Sequence, residues 1–365
     1  MLTVALDATP LLGSRTGIGV AVDGFVRHLA DRPELELSVY GLTLRGWRDL
    51  AAQIGSGRVR VSSRPAPAAA LLRMWARSDW PPGRWWTGPA RLVHGTNFVV
   101  PPSGRAARVV SVWDMTAVRY PELCSPTSRR YPQLVARAVA GGAWIHTATR
   151  FVADEILEHF RVAPERVRVV PPAVDPGPHR ARSRPAGPPY ILGLGRTEPR
   201  KDFPGLVRAF DLLAVDHPDL ELHLAGPPGW AEDAVAVAIA SARHRDRIRR
   251  LGWVADRAAL IAGAAVFAYP SVYEGFGLPP LEAMALGVPV VATRAGAVPE
   301  VVGPAAELVA PGRPEELAGA LGAVLSEPGR RHALVEAGRA RVARFDGAST
   351  AAGLIATYRD AAASP

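Results

Sequence analysis

Short apolar runs rich in Val, Leu and Ile alternate along this chain with stretches whose apolar residues recur every three or four positions. Runs at residues 2–6, 35–42, 59–62, 92–94, 109–112, 144–147 and 167–170 read as strands. After the first run comes a glycine-containing loop, Leu12 to Gly19, and then Ile18, Val22, Phe25, Val26 and Leu29 mark one helical face that Pro33 terminates. Helices are also expected near 128–140 and 151–160. Strand and helix alternating in this way is the pattern of a parallel sheet with crossover helices, an α/β fold.

The stretch from Asp175 to Pro189 holds five prolines, which continue neither a helix nor a central strand, and it predicts an interdomain linker over 176–189. Alternation then restarts. Strands are expected at 190–194, 221–224, 248–251, 266–269 and 288–292, with helices near 203–215, 231–243, 257–262 and 280–286. Helices at 314–325 and 330–345 follow, and one at 349–361 is placed to cross back onto the first domain. The domains are therefore 1–175 and 190–348, with a C-terminal helix over 349–365. One segment resists the scheme. Residues 64–90 carry Trp75, Trp80, Trp85 and Trp86 among prolines, alanines and arginines, and read as an irregular excursion. It is either a solvated loop or an amphipathic element that meets an acceptor or a membrane surface.

A length of 365 residues agrees with two domains, and 48% hydrophobic with 21% charged residues supports packed cores rather than disorder. Cys124 is the single cysteine, so neither an internal disulfide nor a cysteine-rich metal cluster is available. The first residues lack a basic region before their apolar run and read as a strand, which with the cysteine usage suggests a cytoplasmic setting. No uninterrupted apolar run reaches 18 residues, the length a membrane span requires. The net charge of +9 admits nucleic acid, anionic surfaces or phosphorylated ligands. Basic residues are scattered, however, and no aromatic-interleaved RNA motif occurs, which argues against nucleic acid. Lys201 is the only lysine among 43 basic residues. In so arginine-biased a composition, a compact ammonium there looks chosen for its site.

Lys201 lies in the segment Gly193-Leu-Gly195-Arg196-Thr-Glu198-Pro-Arg200-Lys201-Asp202, directly after an expected strand. It lacks the third glycine of a dinucleotide fingerprint, but Arg196 and Lys201 could neutralise a diphosphate. The densest constellation is Tyr269-Pro-Ser-Val-Tyr-Glu274-Gly-Phe276-Gly277-Leu278-Pro-Pro-Leu-Glu282, followed by Gly287 and Pro289. It reads as strand, glycine loop, helix and strand, with the loop's backbone N–H groups directed beyond the strand's carboxyl end, where open α/β sheets bind ligands. Glu282 in the first helical turn is either a capping charge or an acceptor for a diol.

These residues resemble a GT-B glycosyltransferase of the retaining group called glycosyltransferase family 4. Glu274 and Glu282 with seven residues between match its paired-glutamate signature, and Arg196 with Lys201 matches its Gly-Arg…Lys element. Asp7-Ala-Thr-Pro, Thr16-Gly17-Ile-Gly19 and Glu198-Pro-Arg-Lys-Asp resemble bacterial mannosyltransferases within the group. The resemblance implies two Rossmann-like domains facing a cleft and metal-independent transfer of a hexose, mannose from GDP-mannose, to a glycan or lipid-linked acceptor without a cofactor. It implies that Arg196 and Lys201 hold the donor diphosphate and that Glu282 binds the ribose. Glu274, with the amides of Phe276, Gly277 and Leu278, would meet the transferred sugar. Gly17 and Gly19 would line the cleft, and Gly252 and Trp253 would adjoin the nucleobase.

Two departures stand out. Where many members read His-Asp, this chain reads Trp113-Asp114, which implies an altered acceptor side. Pro172-Ala-Val-Asp175 replaces the usual Asn-Gly-Val-Asp. The loss of the histidine keeps a catalytically silent sugar-nucleotide-binding protein open as an alternative, beside a sugar-nucleotide epimerase on the same architecture. Peripheral contact between residues 64–90 and an anionic inner membrane surface is a further expectation.

Overall fold

A computed structural model describes residues 1–13, 17–55, 57–62, 64–175 and 187–364. Ser14, Arg15 and Thr16 of the expected glycine loop, and residues 176–186 of the expected linker, lie outside the described residues. The chain divides into two compact units: Met1–Ala173 together with Phe345–Pro365, and Val174–Arg344.

The first unit is built on β1 (Leu2–Asp7), β2 (Leu35–Tyr40), β3 (Arg60–Ser62), β4 (Leu92–Gly95), β5 (Ala107–Ser111), β6 (Trp144–Thr147) and β7 (Val167–Val169). Its sheet runs β3-β2-β1-β4-β5-β6-β7, all parallel. Val4, Ala5 and Leu6 are wholly buried because β1 is flanked by β2 and β4 and covered by helices on its faces. The helix Gly17–Ala30 buries Val22, Phe25, Val26 and Leu29, the face that the sequence spacing marks.

Residues 64–90 are more ordered than their composition suggests. The helix Ala68–Trp75 and the short helix Arg84–Thr87 bury Trp75 and Trp86, whereas Trp80 and Trp85 stay exposed. The Trp75 indole N–H donates to the Pro81 carbonyl at 2.9 Å and that of Trp86 to the Pro65 carbonyl at 3.1 Å. Two of the four tryptophans thus serve as core, each with its polar edge satisfied.

The helix Gly347–Ala363 packs against Gly17–Ala30 and the sheet of the first unit. Its Tyr358 ends a chain of buried polar groups. The His146 Nε2 faces the Val170 carbonyl at 2.9 Å, and a carbonyl only accepts, so this nitrogen carries the proton. His146 Nδ1 then accepts from the Ser111 hydroxyl at 2.8 Å, and Ser111 accepts from His94 Nε2 at 2.8 Å. His94 Nδ1 accepts from the Tyr358 hydroxyl at 2.7 Å. Burial pushes both imidazoles below their ordinary range, His146 to about 4, so each is neutral and fixed in one tautomer.

The second unit repeats the plan with β8 (Tyr190–Leu194), β9 (Glu221–Ala225), β10 (Ile248–Gly252), β11 (Val266–Tyr269), β12 (Val290–Thr293) and β13 (Glu307–Val309). Its parallel order is β10-β9-β8-β11-β12-β13. The three residues of β13 are absent from the sequence reading, since so short a run between Gly303-Pro304 and Pro311-Gly312 shows no periodicity. The helices Phe203–Leu213 and Pro314–Ser326 pack together on one face of the sheet, contributing Leu206, Phe210, Leu317 and Leu321 to the core.

Candidate functional site

In the second unit, β8 and β11 are neighbours whose onward connections lead to opposite edges of the sheet. A crevice opens beyond the carboxyl ends of such a pair, and the loops that leave the two strands line it. One is Gly195–Asp202 and the other Pro270–Gly277. Topology thereby brings together residues more than seventy positions apart.

After β8 a single 3-10 turn, Pro199–Lys201, delivers Lys201 inward. Asp202 follows in the left-handed region at φ 42°, and its carboxylate accepts from the Gly205 N–H at 2.9 Å, capping the helix Phe203–Leu213. The Lys201 chain lies across Gly195, where an added Cβ would come within 3.3 Å of its Cε. This close approach is what the second glycine of Gly193-Leu-Gly195 provides.

Lys201 is 7% exposed, and its Nζ donates to Glu274 Oε1 and, at 3.0 Å, to the Tyr269 hydroxyl. Glu274 is 6% exposed. Its other oxygen, Oε2, accepts from Arg200 Nη1 at 2.7 Å, and Arg200 Nε donates to Glu198 at 2.9 Å. Burial alone would raise the Glu274 carboxyl, but the charges of Arg200 and Lys201 outweigh it and hold it at about 2. Burial lowers the Lys201 ammonium, and Glu274 works against that shift. The loop that carries Glu274 is backed by Gly296, which has φ 55°; a Cβ there would stand 2.3 Å from the Glu274 carbonyl oxygen. The Ala297 N–H donates to that same carbonyl at 2.8 Å.

The helix Leu278–Ala285 starts from Gly277 and includes Glu282, which the sequence reading puts in the first turn and the structure puts at the helix's fifth residue. Glu282 Oε1 accepts from Arg257 Nη2, while Oε2 is buried without a hydrogen-bond partner. Burial raises this carboxyl, partly offset by Arg257. An unsatisfied buried carboxylate oxygen is costly unless something arrives to donate to it.

Arg196 does not join the Lys201–Glu274 cluster; its Nη1 donates to the Pro228 carbonyl at 3.2 Å and it is half-buried. Its loop is held by Arg250, which donates to Thr197 Oγ1 at 2.7 Å and pairs with Glu232 at 2.9 Å. Phe276 and Leu278 are buried on either side of Gly277. Trp253, after β10, is 59% exposed.

Gly17, Gly19, Trp113 and Asp114 belong to the first unit. Gly17 and Gly19 open the helix Gly17–Ala30. Trp113 is buried, with its indole N–H donating to the Thr96 carbonyl at 2.7 Å and its ring stacked on Phe25 and edge-on to His146. Packing alone accounts for a tryptophan there. Asp114 accepts from the Thr116 N–H at 2.9 Å.

Arg200, Tyr269, Arg257 and Gly296 were not among the sequence candidates. Arg200 lies in the Glu198-Pro-Arg-Lys-Asp segment that carries the resemblance, and that was its signal; as one arginine among so many it was not singled out. Among the described residues no group of three His, Cys, Asp or Glu side chains could hold a metal ion.

Residues 178–341 match the family model described as glycosyl transferases group 1. The chain is 38% identical over 232 residues to the MMP alpha-(1->4)-mannosyltransferase of Mycolicibacterium hassiacum, covering 60% of this chain and 54% of that protein. It is 33% identical over 229 residues to O-antigen chain mannosyltransferase B of Escherichia coli, covering 59% and 60%. The match thus spans little more than half the length of these curated relatives. Among solved structures, Anabaena HepE in complex with UDP-glucose superposes with a TM-score of 0.77 at 18% identity, covering 99% of this chain and 100% of that one. Sucrose-phosphate synthase from Thermosynechococcus elongatus gives 0.78 at 19% identity, with 99% of each chain covered. The fold is GT-B, with two Rossmann-like units.

Proposed function

We propose that this chain is a retaining, metal-independent glycosyltransferase that moves a hexose, mannose from GDP-mannose, onto a glycan or lipid-linked acceptor. The observation that carries the reading is the charged cluster at the β8–β11 switch point: a buried ammonium held by an ionised glutamate, with an unpartnered carboxylate oxygen on the adjoining helix. The two mannosyltransferase relatives support the choice of sugar.

In this reading Lys201 and Arg196, with the amides of Phe276, Gly277 and Leu278 at the start of the helix, receive the donor diphosphate. As the bond from sugar to phosphate breaks, negative charge grows on the leaving group, and cations already in place stabilise it without reorganising. Glu274 stays ionised throughout the neutral range, since its carboxyl titrates at about 2. It therefore accepts hydrogen bonds from sugar hydroxyls and fixes Lys201, and it is not a proton donor. Glu282 Oε2 takes a ribose hydroxyl, which satisfies an oxygen otherwise desolvated for nothing.

A calorimetric screen of GDP- and UDP-sugars against the purified chain tests this, followed by product analysis by NMR. Binding of GDP-mannose and an α-linked product formed at the same rate in EDTA support the reading. An inverted product removes retention, and UDP-sugar preference removes the donor assignment. Binding with neither transfer nor hydrolysis leaves a silent sugar-nucleotide-binding protein.

A further inference from the structure

Residues 64–90 of the first unit form a distinctive surface of their own. Trp80 is 61% exposed and Trp85 47%, and their rings meet edge-on at 6.4 Å. Large indoles in water are unfavourable, and an adjacent pair of them marks a surface that something covers. This pair does not hang from a loose loop. Trp85 leans on Trp86 at 6.0 Å, and Trp86 meets the buried Trp75 at 6.1 Å. Both buried indoles are anchored through N–H bonds to backbone carbonyls, and the Ser62 hydroxyl donates to the Trp86 carbonyl. Two buried tryptophans are therefore a base on which two exposed ones are mounted.

The charge of the segment is one-sided. Arg64, Arg73, Arg77 and Arg84 are all exposed, and Arg64 Nη1 donates to the Trp85 carbonyl at 3.1 Å, next to the exposed rings. The one acid within the segment, Asp79, pairs with Arg137 at 2.9 Å, so the arginines are not neutralised by it. A segment that exposes both a pair of indoles and four guanidinium groups matches one environment in both respects. At the headgroup level of a bilayer an indole finds an apolar side and a wet side, and anionic headgroups supply the counter-charge.

We infer that this surface docks onto an anionic lipid bilayer, with Trp80 and Trp85 entering the headgroup layer and Arg64, Arg73, Arg77 and Arg84 facing lipid phosphates. No helix among the described residues is long and apolar enough to cross a membrane, so this contact is peripheral. A single pair of indoles with four arginines gives reversible, salt-sensitive attachment rather than insertion.

The test is co-sedimentation of the full chain with vesicles of phosphatidylcholine alone or with 30% phosphatidylglycerol, at about 0.05 M and 0.5 M NaCl, a range over which the Debye length falls severalfold. Binding to the anionic vesicles at low salt should exceed binding to neutral ones at least tenfold and disappear at high salt. Trp80→Ser with Trp85→Ser, both exposed and so compatible with folding, should lower it about tenfold, and Arg73→Gln with Arg77→Gln should lower it severalfold. Unchanged melting temperatures in both double variants confirm that the fold is intact. Equal binding to both vesicle types, or wild-type binding by the tryptophan variant, overturns the proposal. So does a tryptophan-dependent dimer in sedimentation velocity, or tryptophan fluorescence that responds to soluble glycans but not to vesicles.

Discussion

Each unit buries a cluster of polar side chains at its sheet, and the two clusters end differently. In the first unit the line from Tyr358 through His94, Ser111 and His146 to the Val170 carbonyl is neutral, and every ring nitrogen in it has its partner. In the second, Lys201, Glu274 and Arg200 are charged, and on the neighbouring helix Glu282 Oε2 is left without a partner. A closed neutral chain specifies packing. A charged cluster with an open acceptor bears a standing cost that binding a ligand can relieve. Burial alone does not tell the two apart, but the state in which each is left does.

The sharpest way to break this contrast is Lys201→Ala. On the proposed role, in which Lys201 meets more charge in the transition state, its removal should lower turnover about 10²–10³-fold, the loss seen when one preorganised electrostatic group is deleted. Steady-state kinetics on GDP-mannose reads this directly, and turnover near wild type would mean that the ammonium only packs.

Acid should separate the units next. His146 titrates at about 4 in the folded chain against an ordinary 6.5, so its contribution is complete above 6.5 and is lost as pH falls toward 4, about 3 kcal/mol in all. Glu274, held at about 2 against an ordinary 4.5, keeps its full contribution down to 4.5 and loses it only below. Asp7 runs the other way: burial raises it to about 6, so it gains stability as pH falls from 6 toward 3.8 and masks part of the histidine loss. Hydrogen exchange, corrected for intrinsic rates, should show β4–β6 weakening between pH 7 and 4.5 while β8 and β11 hold, and Asp7→Asn should steepen the loss. Equal weakening of both sheets would erase the distinction.

Glu282→Ala should act on binding rather than turnover. On the proposed role it removes hydrogen bonds to a ribose that is unchanged by the reaction, about 1.5–3 kcal/mol for charged hydrogen bonds, seen as a raised donor Kd with kcat near wild type. Smallest is Tyr358→Phe, which leaves His94 Nδ1 without its donor and should cost about 1–3 kcal/mol in urea unfolding while kcat stays unchanged. A fall in kcat would give the neutral chain a role beyond packing.

The sheets were legible because buried parallel strands are dense in apolar residues and glycines and prolines punctuate them; β13 was not, being too short to carry a period. The residues of the cluster were legible one by one, Lys201 as the lone lysine and Glu274 by its spacing from Glu282. Their contact was not, because it arises from strand order, with β8 placed beside β11. Composition that exposed Lys201 also hid Arg200, one arginine among many. Trp75 and Trp86 could not be told from Trp80 and Trp85 by type or spacing, since their burial follows from where the helix Ala68–Trp75 lands.

Tyr358 also sets an order of assembly. On a ribosome the chain emerges from its amino end, and upstream domains ordinarily complete first. Here the donor that closes the first unit's polar chain lies downstream of the whole second unit, Val174–Arg344. A chain truncated after residue 344 should resist protease in the second unit and remain cleavable in the first. Of the two units, the one whose strands are translated earlier should thus be the one that finishes folding last.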